Sequence, residues 1–418
     1  MTAFTVVSGF IGLVAVFGYF NHRIVKLPDA IGITATGVVV SIGAIVLGHF
    51  DAPLVQSVRR IVGTIDFAGI LLHGVLGPML FAGSLQISFK DISKDKGLIL
   101  ALATIGVVVA TLLVGVGFSV VTHLMGFETP FLCCLLFGAL ISPTDPIAVL
   151  AVLKQVGVPK RLETLIAAES LFNDGTGVVI FLTILNLVGG DSATLSSTAL
   201  LFVTEVLGGA AFGAIVGYVG VAMLRGVNSY PVEILITVAM ATAGYAAAEA
   251  AHVSAPIAVV LMGLIVGNRG KRKAMSDETR ERLFVFWEVL DELLNLLLFG
   301  LIGLEIMTLE FSLQQMLIGA ATIAIVLAAR LLSIVGPILA TPRLRAFGRG
   351  TITIMTWGGL RGGISIALAL SLPVFTGREI VISTTYTVVI FSILVQALTL
   401  RAAAARVLGG ARTVIRTP

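Results

Sequence analysis

The feature that most constrains this chain is the recurrence, from one end to the other, of apolar runs about 20 residues long, the length a helix needs to cross the hydrocarbon of a bilayer. A water-soluble chain of 418 residues has no interior large enough for all of them. The charge content agrees: only 12% of the residues are charged, against about 25% in soluble domains. At membrane depth the backbone has to satisfy its own polar groups, and for runs this long the helix does so. The expected fold class is an all-α polytopic membrane protein. The 46 glycines suit it, because small residues let membrane helices approach closely.

Thirteen spans are expected, at 3–20, 28–48, 67–88, 97–122, 130–153, 162–188, 197–224, 231–250, 255–267, 284–306, 313–340, 350–372 and 380–405. The first, Phe4 to Phe20, is read as a span and not a cleaved leader, since no basic residue precedes it and Arg23 and Lys26 follow it. Of the 27 basic residues, 22 fall in the odd-numbered connections and the C-terminal tail. Only Arg59, Arg60 and Arg378 fall in the even ones. Cytoplasmic loops concentrate Lys and Arg. This asymmetry therefore predicts an outside N-terminus, a cytoplasmic C-terminus and an inner-membrane location. It also accounts for the net charge of +4 without a nucleic-acid partner. The polar loop 268–283 is read as a cytoplasmic connection. Cys133 and Cys134 are read as small core residues, and the five scattered histidines form no metal-like cluster.

The two remaining basic residues, Arg330 and Arg361, lie inside expected spans, as do Asp145, Glu169 and Asp174. A charge at membrane depth costs roughly 2.5–3.5 kcal/mol on insertion scales, so it marks a pair, a cavity or a function. Seven further carboxylates, Glu205, Glu233, Glu249, Glu288, Asp291, Glu292 and Glu305, lie nearer span ends and are read as interfacial or packing groups. The role of Arg330 is left open, with Glu305 one candidate partner.

Asp145 sits in Ser142-Pro-Thr-Asp-Pro146. Two prolines remove two backbone donors and clash with the preceding turn, so an unwound stretch is expected there, with carbonyls such as that of Thr144 freed as cation ligands. The competing reading is a proline kink with Asp145 capping the next half-helix. In Ala168-Glu-Ser-Leu-Phe-Asn-Asp-Gly-Thr-Gly177, the polar groups Glu169, Ser170, Asn173 and Asp174 share a helical arc of about 140°. In Thr356-Trp-Gly-Gly-Leu-Arg-Gly-Gly363, four glycines surround Arg361 and interrupt a second helix. Paired interruptions in the two halves of a chain point to inverted-repeat transporters, whose ion site lies where the broken helices cross. Glu169 is the expected partner of Arg361, which leaves Asp174 free for exchange.

These segments, with Phe299-Gly-Leu-Ile-Gly-Leu-Glu305, resemble the monovalent cation:proton antiporters: the bacterial and archaeal sodium/proton antiporters and the animal sodium/proton exchangers. The resemblance spans essentially the whole chain and implies a single antiporter domain. A core half would come mainly from 97–188 and 284–405, and a dimerisation half from the other helices, in a homodimer working by an elevator-like motion. It implies that Asp174 is the cation and proton carboxylate, preceded by Asn173. Thr144 and Asp145 would be crossing-point residues, Ser170 a side-chain ligand, and Glu169 with Arg361 the structural ion pair. Asp174, Thr144 and Ser170 would surround the cation. The Asn-Asp pair is similar to that of the electroneutral branch, which implies one-for-one exchange. Ala82 departs from the pattern, since many relatives carry an acidic residue there.

The expected function is exchange of Na⁺, Li⁺ or K⁺ for H⁺, with no cofactor and no enzymatic step. A K⁺/H⁺ antiporter and a proton-coupled transporter of an organic solute are the alternatives. A channel lacks a filter-like repeat here. An intramembrane aspartyl protease would use two aspartates but has no place for Asn173 or the glycine-rich Arg361 segment.

Overall fold

The computed structural model describes residues 3–47, 69–189, 195–271, 274–309, 312–340 and 349–414. Arg59, Arg60, Arg272, Lys273, Arg343, Arg345 and Arg416, which entered the charge count, lie outside these ranges. Every regular element among the described residues is helical.

Helices occur at each of the expected positions. They are α1 (Ala3–Phe20), α2 (Asp29–Leu47), α3 (Leu76–Gln86), α4 (Phe89–Leu124), α5a (Phe131–Ile141), α5b (Ile147–Val156) and α6 (Lys160–Val188). They continue as α7 (Leu195–Arg225), α8 (Tyr230–Ala250), α9 (Ala255–Ile265), α10 (Asp277–Glu305), α11 (Leu313–Ala340), α12a (Arg349–Trp357), α12b (Gly363–Leu370) and α13 (Arg378–Phe391, continued by Ala397–Val414). Among the described residues, eight helices are long and apolar enough to cross a membrane. The shorter apolar segments include the two halves of α5, which proline divides.

The ends of these elements follow local chemistry. Ser254 and Ser276 accept from the backbone N–H groups of Ile257 (3.4 Å) and Thr279 (3.2 Å), capping α9 and α10. Gly157 ends α5b at φ +73°, a left-handed turn that glycine takes without a Cβ penalty. α4 begins earlier than expected and bends at Asp95, where φ is −125° and ψ 18°. Asp95 and Arg161 form an ion pair that ties this bend to the start of α6.

Two packing groups matter for the site. α4, α5, α6, α11, α12 and α13 pack on one another. α10 packs instead against α2 and α3, with α3 resting on α9. Thr34 and Ser41 of α2 donate to the carbonyls of Phe299 (3.1 Å) and Gly303 (2.7 Å) of α10. Cys133 and Cys134 are buried free thiols, as their apolar surroundings suggested.

Candidate functional site

Both expected interruptions are present, and they touch. α5 unwinds over residues 142–146 and α12 over 358–362. The Asp145 N–H donates to the Leu360 carbonyl at 2.8 Å, which joins the two breaks through their backbones. Asp145 also accepts from the Ile147 N–H at 2.9 Å and so starts α5b. Its side chain thus performs the capping role that the kink reading assigned to it, inside an unwound stretch. Gly362 is required at this crossing: a Cβ there would collide with the Asp145 carboxylate.

The polar stripe of α6 faces the break in α5. The Asn173 Nδ2 donates to Thr144 Oγ1 (2.8 Å) and to Glu169 Oε1 (2.9 Å), while its Oδ1 accepts from the Thr144 N–H (3.2 Å). Ser170 Oγ donates to the Thr144 carbonyl and lies 3.0 Å from Thr144 Oγ1. Asn173 and Ser170 therefore clamp the unwound backbone at Thr144. The Thr144 carbonyl, expected to be free for a cation, accepts from Ser170.

The expected ion pair is different. Glu169 is gripped by Arg330, whose two terminal nitrogens reach Oε1 and Oε2 at 2.9 and 3.0 Å. Arg361 makes no ion pair among the described residues and donates to the carbonyls of Ser142 and Pro143. The physical reason is the break itself. The last carbonyls of a half-helix have no partner within the helix, and the negative end of its dipole favours a cation. The C-terminus of α5a thus supplies the anionic surroundings that the sequence reading sought in a carboxylate. Arg361 is only 2% exposed, so those carbonyls carry its buried charge. Glu305, one candidate partner for Arg330, accepts from Thr308 at 3.2 Å.

Asp174 is different again. It is 7% exposed and lines a cavity of ≈ 390 Å³ that Thr144 and Asp145 also line. No ion pair or hydrogen bond reaches its carboxylate among the described residues, and the charges acting on it are those of Asp145 and Glu169. Ser170 and Asn173 stand behind the cavity wall and do not line it. The wall contributed by α3 is uncharged, formed by Met79, Leu80, Gly83 and Gln86. Ala82 is fully buried and lies off the lining. The mouth carries Asp91, Lys154, Lys160 and Glu163.

The sequence reading passed over two lining residues, Asp291 and Ser365. Asp291 was placed with the span-end carboxylates. Ser365 follows the glycines of α12 and carried no signal, because a serine in an apolar helix is common.

Two broken helices that cross, with a buried, unpaired carboxylate at the head of a cavity, define the class of secondary ion transporters. The comparisons identify the family. The family described as sodium/hydrogen exchanger, transmembrane, matches residues 12–406. The Na(+)/H(+) antiporter NhaP of Pseudomonas aeruginosa is 46% identical over 411 residues, covering 97% of each chain. The Na(+)/H(+) antiporter NhaH of Halobacillus dabanensis is 33% identical over 385 residues, 91% of this chain and 92% of that one. The structure of the sodium proton antiporter MjNhaP1 from Methanocaldococcus jannaschii superposes with a TM-score of 0.73 at 18% identity, over 98% of this chain and 100% of that one. The chain belongs to the sodium/hydrogen exchanger family.

Proposed function

We propose that this protein exchanges Na⁺ for H⁺ across the membrane, one for one, through a single carboxylate, Asp174. The observation that carries this reading is the contrast within one site. Glu169, Arg330 and Arg361 are bound by protein groups, whereas Asp174 faces the cavity without a protein partner. A buried anion held this way needs a counter-ion or a proton. Either one neutralises it, and the two compete for the same oxygens.

Asp174 supplies the charge, and the Thr144 hydroxyl adds a neutral oxygen of the kind a hard cation takes. Asn173 and Ser170 position Thr144, and Asp145 positions the start of α5b. Glu169 with Arg330, and Arg361 with the end of α5a, keep the crossing rigid while Asp174 cycles. Helices α4 to α6 and α11 to α13 form the moving half, and the boundary against α3 and α10 is where it slides. The positive-inside asymmetry puts the mouth marked by Lys154 and Lys160 on the cytoplasmic side. The N-terminus then lies outside and the C-terminus inside. The protein works as a homodimer, a reading that the family likeness supports.

Purified protein in proteoliposomes carrying an internal pH dye tests this reading. Na⁺ added outside should drive proton movement, with Li⁺ and K⁺ run in parallel. Exchange that proceeds at the same rate when the potential is clamped at zero or at a negative value supports the one-for-one ratio. Proton movement that needs an organic solute, or Na⁺ flux without counter-transport, would overturn the proposal.

A further inference from the structure

The cavity has a second wall, and that wall carries a charge. Asp291 lies on α10, in the group of helices that packs on α2 and α3, and lines the same cavity as Asp145 and Asp174. Its position is held locally: Asn295 Nδ2 donates to its carbonyl oxygen at 2.7 Å and to its Oδ1 at 3.2 Å. The charges acting on it are those of Asp145 and Glu292, both negative. Its neighbours Glu288 and Glu292 are exposed and do not line the cavity. Ser365 of α12b, 1% exposed, is another residue of the cavity lining, and its buried hydroxyl has no hydrogen-bond partner among the described residues.

A carboxylate without a basic partner is costly at this depth, and a buried hydroxyl without a partner costs about 1–3 kcal/mol. Both residues line the same cavity as Asp174, and all three carry oxygen lone pairs. A hard monovalent cation entering that space would use them in turn as it sheds water. Asp291 also places its charge on the wall that does not carry Asp174, so a cation between them is attracted from both sides of the boundary.

We infer that Asp291 is a specificity-determining residue of the exchange: it receives the monovalent cation from the cavity mouth and sets the affinity of the site for it, with the Ser365 hydroxyl as a neutral ligand. This rests on the exchange proposed above.

Asp291→Asn, Asp291→Glu and Ser365→Ala, compared with the unaltered protein in proteoliposomes, give the test. Asp291→Asn should raise half-saturating Na⁺ about tenfold, the scale of one charge acting across a partly solvated cavity, with the maximum rate within about twofold. Asp291→Glu should restore most of the affinity, and Ser365→Ala should raise half-saturation by about threefold. The rise in unfolding temperature with Na⁺, taken for each variant against its own value in choline buffer, should shift in parallel. An unchanged half-saturation in Asp291→Asn would overturn the inference. So would a collapse of the maximum rate that Asp291→Glu fails to rescue, since that marks a structural residue. If Asp291→Asn is not recovered folded, Asp291→Ser is read by the same criteria. Should the unaltered protein itself show no Na⁺-driven proton movement, the exchange reading fails. The Na⁺-dependent unfolding shift then still decides the role of Asp291.

Discussion

Arg330 on α11 holds both carboxylate oxygens of Glu169 on α6, at 2.9 and 3.0 Å, and Asn173 donates a third bond to the same group at 2.9 Å. This relationship fixes α11 to α6 directly behind the unwound stretch of α5. It also frees Arg361 to close the C-terminus of α5a. The two buried arginines therefore hold the crossing from different sides, one through a carboxylate and one through backbone carbonyls.

The first prediction follows from that division. Removing one partner of a buried pair leaves an uncompensated charge and costs roughly 3–5 kcal/mol. Glu169→Gln and Arg330→Gln should each lower the unfolding temperature of the purified protein steeply, and the double variant should fall by less than their sum. Glu169→Gln combined with Arg361→Gln should depart from additivity by less than the Glu169–Arg330 pair does, since Arg361 acts on Glu169 through space and not by a hydrogen bond. Coupling of Glu169 to Arg361 and not to Arg330 would reverse the assignment.

Asp174→Asn should abolish Na⁺-driven proton movement in proteoliposomes. The same change should leave the unfolding temperature equal or higher, because it removes a buried charge that has no ion pair among the described residues and lies near the like charges of Asp145 and Glu169. Undiminished exchange in this variant would remove Asp174 from the mechanism.

Arg361→Lys should keep the charge but lose reach. The carbonyls of Ser142 and Pro143 both accept from Arg361 Nη1, at the far end of the guanidinium, and the shorter lysine chain does not carry its ammonium to that point. The expected result is a loss of about 1–3 kcal/mol and a slower maximum exchange rate at unchanged half-saturating Na⁺. A large rise in half-saturation with full stability would instead place Arg361 next to the cation.

Gly362→Ala tests the crossing itself. The added Cβ runs into the Asp145 carboxylate, and the Asp145 N–H bond to Leu360 at 2.8 Å leaves the backbone little room to retreat. Exchange should fall by at least about tenfold, since small displacements of a positioned group are costly in rate. An alanine control at Gly43, where a Cβ meets nothing within 4 Å, should be silent.

Much of this protein was legible in its sequence. Apolar length placed helices where they occur, because at membrane depth the chain has to satisfy its own backbone. The prolines at 143 and 146 marked the break in α5, and the glycines from 358 to 363 marked the break in α12, because those residues lack what a continuous helix needs. The spacing of Glu169 and Asn173 anticipated their bond, since residues four apart stack on one face.

What sequence alone could not decide was partnership. Helical periodicity says which residues share a face, and nothing about which distant helix that face meets. Arg330 and Arg361 were both lone cations in expected spans, and the glycines around Arg361 drew Glu169 to the wrong one. Only the packing of α11 on the core brought Arg330 to Glu169, and only the crossing of two unwound segments put the end of α5a against Arg361. For the same reason Asp291 read as an ordinary span-end carboxylate. It joins the cavity because α10 and α3 line the same space as Asp174, a relationship between helices more than 100 residues apart in the chain.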